Sequence, residues 1–192
     1  MKFLDALLGR TRPVPPDLDE LFSLPSAAVG LEVAMGLHPT GVGAVCVKPA
    51  EGAAFARTHA EVAALLQLDA ATPVEQSTDS FGYSWTTARP GPDRLPDVVT
   101  ALHAANTTYE SAGFGAGLLC SLIGFTVQVD GRLRSVGLVY LYKRGTFYPF
   151  APLGGQQRDT ALELQVRAAV GDELRMEADL SRWFPVWGAP GL

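Results

Sequence analysis

The chain has 192 residues, with 15 Lys and Arg against 20 Asp and Glu for a net charge of −5. Hydrophobic residues make up 47% and charged residues 18%, with a mean hydropathy of +0.15. This composition excludes an intrinsically disordered chain, and the length lets one domain fold without a disulfide or metal staple. The acidic balance argues against non-specific nucleic-acid binding, which needs clustered Lys and Arg to meet phosphates.

The first ten residues place Phe3, Leu4, Leu7 and Leu8 on one helical face, with Lys2 and Arg10 outside it. Residues 1–12 therefore read as a short amphipathic helix able to dock on its own domain, on a partner or at a membrane interface. The run is too short for a signal peptide, Asp5 interrupts it, and Arg10 and Arg12 follow where a cleavage site would lie. No window approaches the roughly 18 apolar residues of a membrane span. Residues 13–16, with Pro13, Pro15 and Pro16, form a stiff hinge that no helix crosses. The remainder, 17–192, is predicted as a single domain.

Asp17 can cap a short helix over 18–24, which Pro25 stops. Residues 27–47 read as two strands around the Pro39-Thr40-Gly41 turn, the first carried by the alternation of Val29, Leu31 and Val33. A helix follows over 51–67, with Phe55, His59, Val62 and Leu66 on one face. Two strands flank Asp79, the second marked by Phe81, Tyr83, Trp85 and Thr87. After the Pro90-Gly91-Pro92 break, Asp93 opens a helix whose apolar face is Leu95, Val98, Val99, Leu102, Asn106 and Tyr109, ended by Gly113.

Three strands occupy 118–150. Phe125, Val127 and Val129 alternate up to the Asp130-Gly131 hairpin signal, and Pro149 marks the last strand as an edge. A final helix begins near Arg158-Asp159 with Leu162, Val166, Ala169 and Val170 inward. The tail from Asp179 to Trp187 is apolar enough to pack back on the domain. Connections this short between neighbouring strands cannot make parallel crossovers. The prediction is a single-domain α+β fold, a mainly antiparallel sheet of about six to seven strands with helices packed on one face. Its general shape is similar to secretion-chaperone folds, which bind extended partner segments and often dimerise; that is fold analogy alone.

Chemistry is sparse. His38, His59 and His103 are far apart in sequence, and neither Cys46 nor Cys120 has a ligand residue at zinc spacing, so no metal, cofactor or catalytic residue is predicted. The two cysteines sit in apolar runs and read as reduced, buried thiols, consistent with a cytoplasmic protein. Gly113-Phe114-Gly115-Ala116-Gly117 follows a helix and precedes a strand, the wrong polarity for a phosphate cradle. Glu61, Glu163, Asp172 and Glu173 read as solvated helix surface. Two features stand above this background. Tyr140, Tyr142, Phe147, Tyr148 and Phe150 are interleaved with Lys143 and Arg144, a composition common at interfaces and also in a sheet's own core. The Trp183-Phe184-Pro185-Val186-Trp187 tail could clamp a neighbouring subunit or pack on its own core.

Taken together, several segments resemble the actinobacterial PspA-associated protein PspAB family. They are the opening Phe3-Leu4-Asp5-Ala6-Leu7-Leu8-Gly9-Arg10, then Pro25-Ser26-Ala27-Ala28 and Gly41-Val42-Gly43-Ala44-Val45-Cys46. Gly113-Phe114-Gly115, Leu118-Leu119-Cys120-Ser121 and Asp179-Leu180-Ser181-Arg182-Trp183 complete the set. The resemblance implies an envelope-stress setting built around PspA, a coiled-coil protein that coats damaged membrane, and it carries over no catalytic residues. It makes PspA or a related stress protein the expected partner, with at most peripheral membrane association at the inner face. The expected function is a non-enzymatic, cytoplasmic accessory protein acting by protein–protein binding. Candidate contact residues are Phe3, Leu4, Leu7 and Leu8, with Tyr140, Tyr142, Arg144, Phe147 and Tyr148. The alternative is a small-molecule sensor or an uncharacterised enzyme, with a pocket between sheet and helices using His103, Cys120 or Tyr109.

Overall fold

The computed structural model describes residues 16–192, so the N-terminal helix expected over 1–12, with Phe3, Leu4, Leu7 and Leu8, lies outside the described residues, as does most of the hinge. Six strands form one antiparallel sheet in the order β2-β3-β1-β4-β5-β6. They are β1 His38–Val47, β2 Val74–Thr78, β3 Ser84–Ala88, β4 Leu118–Val129, β5 Arg132–Leu141 and β6 Thr146–Phe150. Among the described residues there are four α-helices: α1 Leu24–Met35, α2 Ala53–Leu66, α3 Leu95–Ser111 and α4 Thr160–Val170. A small hairpin, β7 Pro152–Leu153 with β8 Gln157–Arg158, precedes α4. The α+β class and the antiparallel sheet are as expected.

The longest ladder is the β4–β5 hairpin, in register from Cys120 with Leu141 to Val129 with Arg132. Its turn is Asp130-Gly131, both at positive φ (51° and 71°), the geometry whose twist matches the flanking strands. The apolar face read for α3 is the buried one, from Leu95 through Tyr109. Asp159 caps α4, its side chain accepting a hydrogen bond from the Leu162 amide. The strand carrying Pro149 is at the edge of the sheet, where a missing N–H costs least. Residues 175–177 blunt that edge, with the Phe147 amide donating to the Arg175 carbonyl (2.8 Å) and the Glu177 amide to the Phe147 carbonyl (2.7 Å).

Two readings of 27–47 are corrected: the Pro39-Thr40-Gly41 turn lies inside β1, as an irregularity in its pairing with β4, and the strand before it is a helix. The strand expected over the first part of 27–47 is helix α1. Alternation of Val29, Leu31 and Val33 gives way to a helical stripe, Leu24, Ala27, Ala28 and Leu31, all of it buried. Val29 and Val33 are left 63% and 84% exposed. Pro25, expected to stop a helix, sits in the first turn of α1, where its missing N–H has no partner to lose. The preceding turn, Leu18–Ser23, is a 3₁₀ segment that runs into α1.

The two faces of the sheet are covered differently. Val45, Val47, Ile123, Phe125, Val127, Leu138 and Tyr140 pack with the helices. Ala44, Cys46, Trp85, Cys120, Leu122, Val139, Tyr148 and Phe150 point the other way and pack with Trp183 and Ala189 of the tail. Helices on one face, as predicted, leave the second face to residues 179–192. Gly43 marks how closely α3 lies on the sheet: a Cβ there would sit 2.4 Å from Val98 Cγ1.

Candidate functional site

A cavity of about 570 Å³ lies on the tail-covered face, at one end of the sheet. Its floor crosses the sheet from Trp85 on β3 through Cys46 on β1, Cys120 on β4 and Leu141 on β5 to Tyr148 on β6. Four strand spacings of roughly 4.8 Å make that span about 19 Å. The β2–β3 turn, with Asp79, Phe81 and Tyr83, bounds one flank, and Lys143 and Arg144 of the β5–β6 turn bound the other. Arg182 and the stretch Phe184-Pro185-Val186-Trp187 form the roof. Register explains the placement: Ser84 pairs with Val47 and Leu141 with Thr146, so both turns fall at the same end of the sheet.

The polar groups of the floor are already engaged. Asp79 accepts from the Trp85 indole Nε1 (3.0 Å) and from the Phe81 and Tyr83 amides (2.9 and 3.0 Å). Burial works to raise this carboxyl, but the hydrogen bonds from Trp85 and the turn amides outweigh it and hold its pKa below the usual range. The Tyr148 hydroxyl donates to the Phe184 carbonyl (2.7 Å), and burial pushes its pKa far up. Cys46 and Cys120 are free thiols facing each other across β1 and β4. Contact with Cys120, then burial, drives the Cys46 thiol well above the ordinary range, so it stays neutral and is a poor nucleophile.

The roof is held by specific contacts. The Trp183 indole donates to the Glu177 carbonyl (3.1 Å) and stacks on Tyr148, while Trp187 meets Phe150 edge-on. Arg158 Nη1 donates to the Trp183 carbonyl (2.7 Å). Beneath the cationic flank, the carboxylate of buried Glu177 accepts from Arg144 Nε (3.1 Å), Thr146 Oγ1 (3.0 Å), the Asp179 amide (3.1 Å) and Arg182 Nη1 (3.5 Å). Burial would raise the Glu177 carboxyl, yet these donors prevail and lower it.

The structure divides the residues read as partner contacts. Arg144 and Tyr148 line the cavity. Tyr140, Tyr142 and Phe147 are on the helix face and fully or almost fully buried, so their rings serve this chain's own core and offer no outward surface. The Tyr140 hydroxyl is engaged too, donating to the Asp17 carbonyl (2.8 Å). The pocket expected between sheet and helices is instead on the opposite face. Tyr109 is buried on the helix side against His59, His103 sits near Asp19 and Phe22, and Cys120 alone of that trio lines the cavity. Sequence reasoning noted the cysteines and the tryptophan-rich tail separately; the register that joins them, Cys46 opposite Cys120, has no local signature.

A family model described as PspA associated protein B, PspAB, matches residues 1–191. The chain belongs to the PspAB family. The family's description names an association with PspA, and the match agrees with the resemblance carried by the opening and closing segments. No curated protein matches the chain, and no solved structure does. Among the described residues, no helix of this PspAB member is long and apolar enough to cross a membrane, and no group of three or more His, Cys, Asp or Glu could hold a metal ion.

Proposed function

We propose that this chain is a non-enzymatic accessory protein of a PspA-type envelope-stress response, acting in the cytoplasm and at the inner face of the membrane by binding PspA. The match of residues 1–191 to a family described by its association with PspA carries this reading. Two features support it. The acidic net charge disfavours coating anionic lipid directly and favours a protein partner. The cavity's floor presents the Cys46 thiol, its pKa pushed well up, and already-bonded hydroxyl and indole groups, a lining suited to holding rather than transforming.

Tagged protein purified from its native host, with and without membrane stress, tests the reading by mass spectrometry. PspA is expected in the eluate, more of it under stress, and a chain lacking residues 1–12 should recover less PspA while melting at the same temperature. Clean purification without PspA under stress overturns the reading. Equal recovery by the shortened chain removes the N-terminal segment from the contact.

A second reading, a ligand-responsive accessory protein, is favoured by the cavity. At about 570 Å³ it falls in the range of small-molecule sites, roughly 300–1,000 Å³.

A further inference from the structure

We propose that the cavity between the sheet and residues 182–187 binds one single-chain anionic amphiphile, a long-chain fatty acid, its chain across the floor and its carboxylate at Lys143 and Arg144. The inference deepens the ligand-responsive reading and rests on it.

The floor sets the nature of the chain. The strong hydrogen-bonding groups there are engaged within the protein, the Trp85 indole on Asp79 and the Tyr148 hydroxyl on the Phe184 carbonyl, and the thiols of Cys46 and Cys120, weak donors, face each other across β1 and β4. A polar ligand would lose its water and find no donor or acceptor in return, a cost of roughly 1–3 kcal/mol for each unpaired group. An apolar chain meets no such cost and buries its surface against Leu119, Leu141 and Val186.

The flank sets the nature of the head. Lys143 is exposed and forms no salt bridge among the described residues. Arg144 and Arg182 reach Glu177 through Nε and Nη1 respectively, and Arg182 Nε is 3.5 Å from Asp179. The two carboxylates thus offset the two guanidinium charges, and Lys143 leaves one positive charge over. Arg144 also keeps guanidinium N–H groups beyond its Nε contact. One surplus cation beside unengaged donors matches one carboxylate. Asp79, the acidic group lining the cavity, is at the opposite flank, about 19 Å away by strand spacing. The rim supplies the remaining drive: Phe81 on the flank and Phe184 in the roof are 70% and 57% exposed, and a chain entering beside them removes apolar surface from water.

The test uses the full chain titrated with monomeric sodium myristate, read by native mass spectrometry and by fluorescence, since Trp85 and Trp187 both line the cavity. A one-to-one complex with a fluorescence change is expected. Myristyl alcohol should bind about tenfold more weakly, because it carries no negative charge to pair with the surplus cation. Lys143→Glu, at an exposed position, should remove that tenfold preference and leave alcohol binding unchanged. Equal binding of acid and alcohol, unaffected by Lys143→Glu, overturns the anionic head and leaves the ligand-responsive reading standing. Binding of neither, with no fluorescence change, overturns both. Binding to phosphatidylglycerol vesicles without any myristate complex overturns the single-chain ligand.

Discussion

Glu163 shows how much one side chain can anchor. It lies in the first turn of α4 and is 1% exposed, against an expectation of solvated helix surface. Its carboxylate accepts from the Ala151 amide (2.9 Å) and from Arg158 Nε (2.9 Å), tying α4 to the end of β6 and to β8. Nothing local in the sequence marks this, because the partners come from a turn whose geometry is tertiary. Glu163→Ala strands the Ala151 amide and takes the carboxylate from the part-buried Arg158 guanidinium, so it should cost about 3 kcal/mol in urea unfolding. His59 supplies a pH signature. Burial lowers its imidazole from the reference 6.5, and its Nδ1 is hydrogen-bonded to the Tyr109 hydroxyl. The unfolded chain therefore takes up the proton first as pH falls. Stability attributable to this group is complete above pH 6.5 and declines as pH drops through it toward the lower folded value. Denaturation midpoints should fall between about pH 7 and about pH 5, and His59→Gln should flatten that slope.

At the scale of elements, local chemistry and global packing agree almost everywhere, which is why the hairpin at Asp130-Gly131, the edge strand with Pro149 and the apolar face of α3 were legible. Segment 24–47 is the exception: its Pro39-Thr40-Gly41 signal lies inside β1, and its first half is helix α1. Its Val29-x-Leu31-x-Val33 alternation and its Leu24, Ala27, Ala28, Leu31 stripe coexist, and the helix prevails because that stripe seals the helix face of the sheet. Gly36, at φ 68°, then closes it with its amide on the Glu32 carbonyl. The two readings make opposite forecasts. In a strand, positions 29, 31 and 33 would share one face and respond alike to substitution. In the helix, Leu31→Ala should cost about 3 kcal/mol. Val33→Ala, 84% exposed, should stay within about 0.5 kcal/mol. Similar losses at both positions in thermal unfolding would contradict α1.

For the whole molecule, the sheet is a two-sided partition. Helices seal one side; the tail covers the other incompletely and leaves the cavity at the end of the sheet that carries the β2–β3 and β5–β6 turns at its two flanks. The aromatic density at 140–150, read as interface composition, divides across that partition: Tyr140, Tyr142 and Phe147 face the helices, while Tyr148 and Phe150 face the tail. Alternation along a strand assigns the two sides, but which side holds a cavity depends on how a tail 36 residues further along the chain returns, and that is not written in any local pattern. Family membership links the molecule by name to PspA, and the structure gives it a cavity of about 570 Å³. The association with PspA is the claim on which the account turns. Sedimentation of the purified full chain mixed with purified PspA measures it most directly. The account predicts that the chain moves with the larger PspA boundary and that excess untagged chain displaces a labelled one. Two independent boundaries, unchanged as both concentrations rise, would contradict it.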